Sequence, residues 1–178
     1  WWKMAAFDFI DGRNNDMFEL RKLFLTKKKL NLGSNSDIRP DYINVDILDI
    51  EGLDIRCDLK DLHKYIPVDS MEELLAYDLL EHFPFAETKQ LLTEWISWVA
   101  PEGKIIIRTP DLQRLSDSLL NNKLPLWEMQ RLVYGGEDYE FNFHKAGFTS
   151  EYLEGLLIGL GCSQILQVVK EQESFNCT

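Results

Sequence analysis

The chain has 178 residues, 45% of them hydrophobic and 28% charged, with a formal net charge of −11. That balance suits one globular core and excludes a disordered or fibrous chain. So acidic a surface repels phosphate backbones and anionic lipid, which excludes nucleic acid as an expected partner, and no apolar run approaches the roughly 18 residues of a membrane span.

Residues 1–15 are aromatic at first and then turn-like. Asp16 with Glu19 fits a capping box, and Met17, Leu20, Leu23 and Phe24 follow helical spacing to about Lys28. Residues 1–28 thus read as an N-terminal helical extension ahead of one domain over 29–178. Lys27, Lys28 and Lys29 read as a solvated helix end near the C-terminal dipole. Leu30–Leu32, Ile43–Val45 and Asp54–Cys57 read as strands, while Met71–Tyr77 fits helix or strand. Glu87–Val99 predicts a helix with Leu91, Leu92, Trp95, Ile96 and Val99 on one face.

Pro101-Glu102-Gly103 predicts a turn, and Lys104–Ile107 a strand covered on both faces. Asp111 opens a helix whose inner side is Leu112, Leu115, Leu119 and Leu120. Pro125 to Gly147 reads as a long irregular loop. Thr149 or Ser150 caps a last helix with Leu153, Leu156, Leu157 and Leu160 inward, and Gly161 stops it. Ile165–Val169 reads as a strand, and Ser174–Thr178 begins another. Strands alternating with helices predict an α/β, Rossmann-like three-layer sandwich with a mostly parallel sheet.

Cys57, Cys162 and Cys177 are scattered, odd in number and free of CxxC spacing, so they read as reduced thiols of a cytoplasmic protein. No secretory leader pattern is evident. The chain opens on Trp1, as a piece cut from a longer polypeptide would.

The stretch KLNLGSNSDIRPDYINVDI carries the most information. Gly33-Ser34 follows a strand like a nucleotide-binding turn, with Asn35 where a second glycine would stand. Only Ser34 to Asp41 separates two strands, so the first crossover is shortened. Pro40 limits it further, because the residue before proline avoids the α region. The helix N-terminus that would hold a pyrophosphate is missing or rudimentary. A cofactor without phosphate fits better. S-adenosylmethionine needs close backbone approach, a carboxylate for its ribose and polar partners for its adenine. Asn tolerates positive φ and can partly replace glycine in such a turn.

The segments KLNLGSN, YINVDI, RCDL, AYDLLEHF, APEGKIIIRTPDL and NFHKAGF, in that order, resemble class I S-adenosylmethionine-dependent methyltransferases. The likeness is greatest to small methyltransferase-like proteins associated with polysaccharide and glycan synthesis. It covers about Lys29 to Val169. It implies S-adenosyl-L-methionine as cofactor, with Gly33, Ser34 and Asn35 lining the methionine end. It implies Asp46, with Ile47 beside it, at the ribose; Asp58 and Leu59 at the adenine; and Asp78 and Leu79 flanking the cofactor. Asn35 departs from the family's second glycine and bears on cofactor affinity. The resemblance leaves room for fusion to, or association with, other biosynthetic domains.

Methyl transfer to a hydroxyl needs a general base, which typically contributes about 10²–10⁴-fold. His82 and His144 are the candidate catalytic residues, each with the alternative of a structural histidine; His63 reads as surface. Glu81 and His82 with a distant aspartate would make a poor metal set, and no metal is expected. Trp127, Tyr134, Tyr139, Phe141, Phe143 and Phe148 read mostly as a lid packed on its own side chains, one or two of them stacking on a sugar. The leading expectation is methyl transfer to a small-molecule or glycan hydroxyl. The alternatives are a non-catalytic methyltransferase-like module, which Asn35 motivates, and a nicotinamide oxidoreductase, which the short first crossover disfavours.

Overall fold

The computed structural model describes residues 6–11, 16–166 and 176–177. Its strands are β1 (Phe7–Asp8), β2 (Lys29–Leu32), β3 (Ile43–Asp46), β4 (Ile55–Arg56), β5 (Met71–Tyr77), β6 (Val99–Pro110) and β7 (Asn176–Cys177). Its helices are α1 (Met17–Thr26), α2 (Thr88–Trp98), α3 (Leu112–Leu120), α4 (Leu126–Tyr134) and α5 (Ser150–Gly159). The strand order is β1-β4-β3-β2-β5-β6-β7. This is the Rossmann-like α/β fold that the alternation of elements predicts. The chain divides into two compact units, Trp1–Tyr77 with Glu94–Ile106, and Asp78–Thr93 with Ile107–Thr178.

In the first unit β1, β4, β3, β2 and β5 pair in parallel. All four residues of β3 are buried, as are three of the four in β2, so both faces of these strands are covered. Leu30, Leu32, Ile43, Val45, Ile55 and Leu74 form the core with Leu20 of α1 and Trp95 of α2. Asp16 caps α1 by accepting from the Phe18 and Glu19 amides. The three consecutive lysines are not a free basic patch. Lys27 Nζ donates to Asp54 and to the Tyr42 carbonyl, Lys28 Nζ to the Phe24 carbonyl in the last turn of α1, and Lys29 lies 4.0 Å from Glu73.

The link from β2 to β3 contains no helix. Two buried asparagines of facing strands hold it instead. Asn31 and Asn44 are register partners, and the Asn31 amide donates to Asn44 Oδ1. Asn31 Nδ2 also donates to the Asp37 carbonyl, while Asn44 accepts from the Arg39 amide and donates to the Arg39 carbonyl.

In the second unit β6 ends in an antiparallel pairing of Thr109 and Pro110 with Cys177 and Asn176. Asp111 caps α3 and also accepts from the Ser150 amide and hydroxyl, joining the N-termini of α3 and α5. Thr149 caps α5 through its hydroxyl, and Gly161 sits just past the helix end at φ 98°.

Met71–Tyr77, open between helix and strand by pattern, is a strand, settled by its place beside β2. Several other expectations need correction. Val99–Pro110 is continuous strand, and the expected turn is only a positive φ of 67° at Glu102 within it. Ile105 and Ile106 are half-buried and only Ile107 fully buried, so the two-sided cover expected there is partial. Leu120 lies on the outer side of α3, 79% exposed. The long loop contains α4, with Pro125 at its start and Gly135 at φ 89° at its end. Trp127, Tyr134, Tyr139, Phe141 and Phe143 are exposed, and Phe148 alone belongs to the core. Ile165 and Leu166 are not strand, and residues 167–169 lie outside the described residues; of the stretch 174–178, Asn176–Cys177 is strand as expected and the rest lies outside the described residues.

Candidate active site

Parallel pairing brings the C-terminal ends of β2, β3 and β4 to one edge of the first unit. Leu32 faces Val45, and Asp46 faces Arg56, so Gly33, Asp46 and Asp58 follow neighbouring strand ends. The turn after β2 needs left-handed backbone twice, at Gly33 (φ 60°) and Asn35 (φ 41°). Asn35 therefore fills a position that ordinarily favours glycine, as its tolerance of positive φ predicts.

Asp46 is 7% exposed, and both its oxygens are engaged by backbone. Oδ2 accepts from the Asn35 amide at 2.8 Å and Oδ1 from the Leu48 amide at 2.9 Å. The carboxylate thus fixes the turn after β2 as well as the end of its own strand. Ser34 donates its amide to the Val45 carbonyl, but its hydroxyl is buried with no partner among the described residues. Ile47 is half-buried. Asp58 caps a 3₁₀ turn over Leu59–Lys64 by accepting from the Lys60 amide, and Leu59 is buried beneath it. The sequence did not signal Arg56, whose guanidinium binds Asp8, Asp11 and the Ile47 carbonyl at this same edge.

In the second unit Asp78 takes φ 48° directly after β5 and pairs with Arg108. Leu79 leads into a 3₁₀ turn over Leu80–His82. Glu81 in that turn is 1% exposed. Its backbone carbonyl accepts from the Lys145 and Ala146 amides at 2.7 and 3.1 Å, tying this turn to the segment carrying His144. Burial pushes the Glu81 carboxyl up to about 8, with the Asp78 charge adding to the shift and the Thr109 hydroxyl opposing it. Neither Glu81 oxygen reaches hydrogen-bond geometry with a described donor.

The rings of His82 and His144 meet edge to face, with centroids 4.8 Å apart. Burial lowers the pKa of both, and the neighbouring His82 ring lowers that of His144 further. Both are therefore neutral imidazoles near pH 7. His144 Nδ1 lies 3.0 Å from the Leu132 carbonyl, while His82 Nδ1 is buried without a partner among the described residues. The two candidate catalytic histidines, 62 positions apart, thus form one cluster, and Glu81 completes it. His63 is on the surface, 3.3 Å from Glu94.

No protein-family model matches the chain. No curated protein matches it. Among solved structures, an S-adenosylmethionine-dependent methyltransferase from Archaeoglobus fulgidus is similar at TM-score 0.52 and 17% identity, over 89% of this chain and 79% of that one. The 1,6-didemethyltoxoflavin-N1-methyltransferase of Burkholderia thailandensis, solved with S-adenosylhomocysteine, is similar at TM-score 0.53 and 14% identity, over 95% and 80%. The CurJ carbon methyltransferase is similar at TM-score 0.55 and 15% identity, over 85% of this chain but 47% of that one. The chain has the fold of class I S-adenosylmethionine-dependent methyltransferases.

Proposed function

We propose that the chain transfers a methyl group from S-adenosylmethionine to a hydroxyl of a small molecule or glycan. The observation that carries the reading is the edge formed by Gly33, Ser34, Asn35 and Asp46. It offers close backbone approach, a buried hydroxyl lacking a partner among the described residues, and a carboxylate one strand away. Those groups fit the amino-acid end and the ribose of the cofactor, with Asp58 and Leu59 available to its adenine. No helix follows the turn, so the edge lacks a pyrophosphate cradle.

Bound S-adenosylmethionine supplies an electrophilic methyl on a sulfonium. The chain's own task is to orient an acceptor in line with that methyl and to relieve the acceptor oxygen of its proton. His82 and His144 are the groups for the second task, being neutral and adjacent. The exposed Phe141 and Phe143 adjoin His144 in sequence and suit the flat face of a sugar ring.

Calorimetry with S-adenosylhomocysteine, S-adenosylmethionine and NAD tests the reading. The first two bind and NAD does not. Binding of NAD alone would establish the oxidoreductase reading, and binding of none would establish the non-catalytic module.

A further inference from the structure

We propose that Glu81, His82 and His144 form a binding site for a borderline divalent cation of the zinc, manganese or cobalt type. Each residue offers one ligand atom, and the three atoms all lie within 4.8 Å of one another. A cation placed among them would meet one carboxylate oxygen and two imidazole nitrogens. Two imidazoles with one carboxylate suit zinc and its neighbours better than magnesium or calcium, which favour all-oxygen shells.

Three features show a site prepared for a ligand rather than a chance cluster. Glu81 is almost wholly buried; its carboxyl meets the Thr109 hydroxyl but completes no hydrogen bond of full geometry among the described residues, so its charged form is poorly compensated there. A bound cation would supply that compensation. His82 Nδ1 is likewise buried and completes no hydrogen bond of full geometry, the ring lying beside the Phe143, Phe141 and Asp78 backbone. His144 has the complementary arrangement. Its Nδ1 lies against the Leu132 carbonyl, which selects the tautomer that donates there and leaves the Nε2 lone pair free. Ligating histidines ordinarily use their second nitrogen in this way.

The scaffold around the three residues is fixed. The Glu81 carbonyl holds the Lys145 and Ala146 amides, and the His144 amide donates to the Tyr134 carbonyl at the end of α4. One short turn and one strap are therefore locked together at the ligands. Three protein ligands leave at least one coordination position open, the pattern of catalytic rather than structural sites.

The cation site stands independently of the cofactor. Its use does rest on the function proposed above: an acceptor hydroxyl in the open position would be polarised by the cation. With the cation in place the two imidazoles serve as its ligands and not as the base, so the acceptor's proton would pass to solvent, its oxygen would bond the methyl carbon, and the carbon–sulfur pair would return to sulfur, leaving a neutral thioether.

Untagged full chain, stripped with chelator, is titrated with Zn2+ by calorimetry and with Co2+ by visible absorption. The expected result is one equivalent bound, with Co2+ absorption reporting nitrogen ligation. His82→Ala and His144→Ala should each weaken binding at least tenfold. Glu81→Gln guards against misfolding: it should melt at or above wild type in chelator, yet gain nothing from Zn2+ that stabilises wild type. The proposal is overturned if wild type binds no more tightly than a His82→Ala/His144→Ala double variant, or if Glu81→Gln keeps wild-type affinity. Titration with S-adenosylhomocysteine in chelator separates failure of this site from failure of the cofactor edge.

Discussion

Replacing Asp46 by alanine should destabilise the protein even with no cofactor present. The carboxylate is buried, and each oxygen accepts one backbone amide, from Asn35 and from Leu48. A hydrogen bond to a charged group contributes about 1.5–3 kcal/mol. Asn35 is exposed and Leu48 half-buried, so water can reach both freed amides and the lower end applies. The pair then contributes about 3 kcal/mol. An unfolding entropy of roughly 2.1 cal/mol/K per residue gives about 0.37 kcal/mol/K for a chain this long, so the melting temperature should fall by about 8 °C. Asp46→Asn keeps one acceptor oxygen and should lose about half as much. Thermal melts followed by circular dichroism, without ligand, measure both. If Asp46→Ala melts within about 2 °C of wild type, the carboxylate is not what holds the turn after β2.

Asn35→Gly should keep stability within about 1 kcal/mol of wild type and keep or improve affinity for S-adenosylhomocysteine, since it relieves a side chain at positive φ; a large loss of affinity in calorimetry would show that the Asn35 side chain itself holds the ligand. Asp111→Ala removes the cap of α3 and the tie to Ser150 together, and should cost about 3 kcal/mol in urea unfolding. An equal cost from Asp111→Asn would show that charge, and not acceptor geometry, matters there. Burial pushes the Cys57 thiol up to about 12, so iodoacetamide at pH 8 should spare it in the folded protein and reach half-buried Cys162 first. Mass spectrometry locates the adduct, and early labelling of Cys57 would contradict its burial just past β4.

The strands β2, β3 and β4 and the residues Gly33, Asp46 and Asp58 after their ends were legible because each depends on local signals: an apolar run, then a turn residue or carboxylate. The second unit was harder to read. α4 was missed because none of its residues is buried and its start has no side-chain cap, so neither periodicity nor capping marks it strongly. Pro125 and Gly135 were the signals that could have bounded it. The pairing of His82 with His144 has no sequence signature, being created by the Glu81 carbonyl gripping a distant strap. Glu81 was visible as a charge inside AYDLLEHF, but only its burial made it part of the cluster. Asp46 was read for the ribose alone; its work in bracing the turn became visible only through its two amide donors.

The asparagine pair between β2 and β3 also bears on how the chain finds its alignment. Apolar strands can slide past one another by two residues and still bury the same faces. Asn31 disfavours that here, because its amide meets Asn44 Oδ1 only when the two residues stand opposite one another. A shifted pairing breaks that bond in a buried layer, at about 1–3 kcal/mol for an unsatisfied group. The short link lets β2 and β3 meet early, before most of the sheet exists. Asn31 therefore favours the native alignment of β2 with β3, the pair that β5 and β4 flank on its two sides.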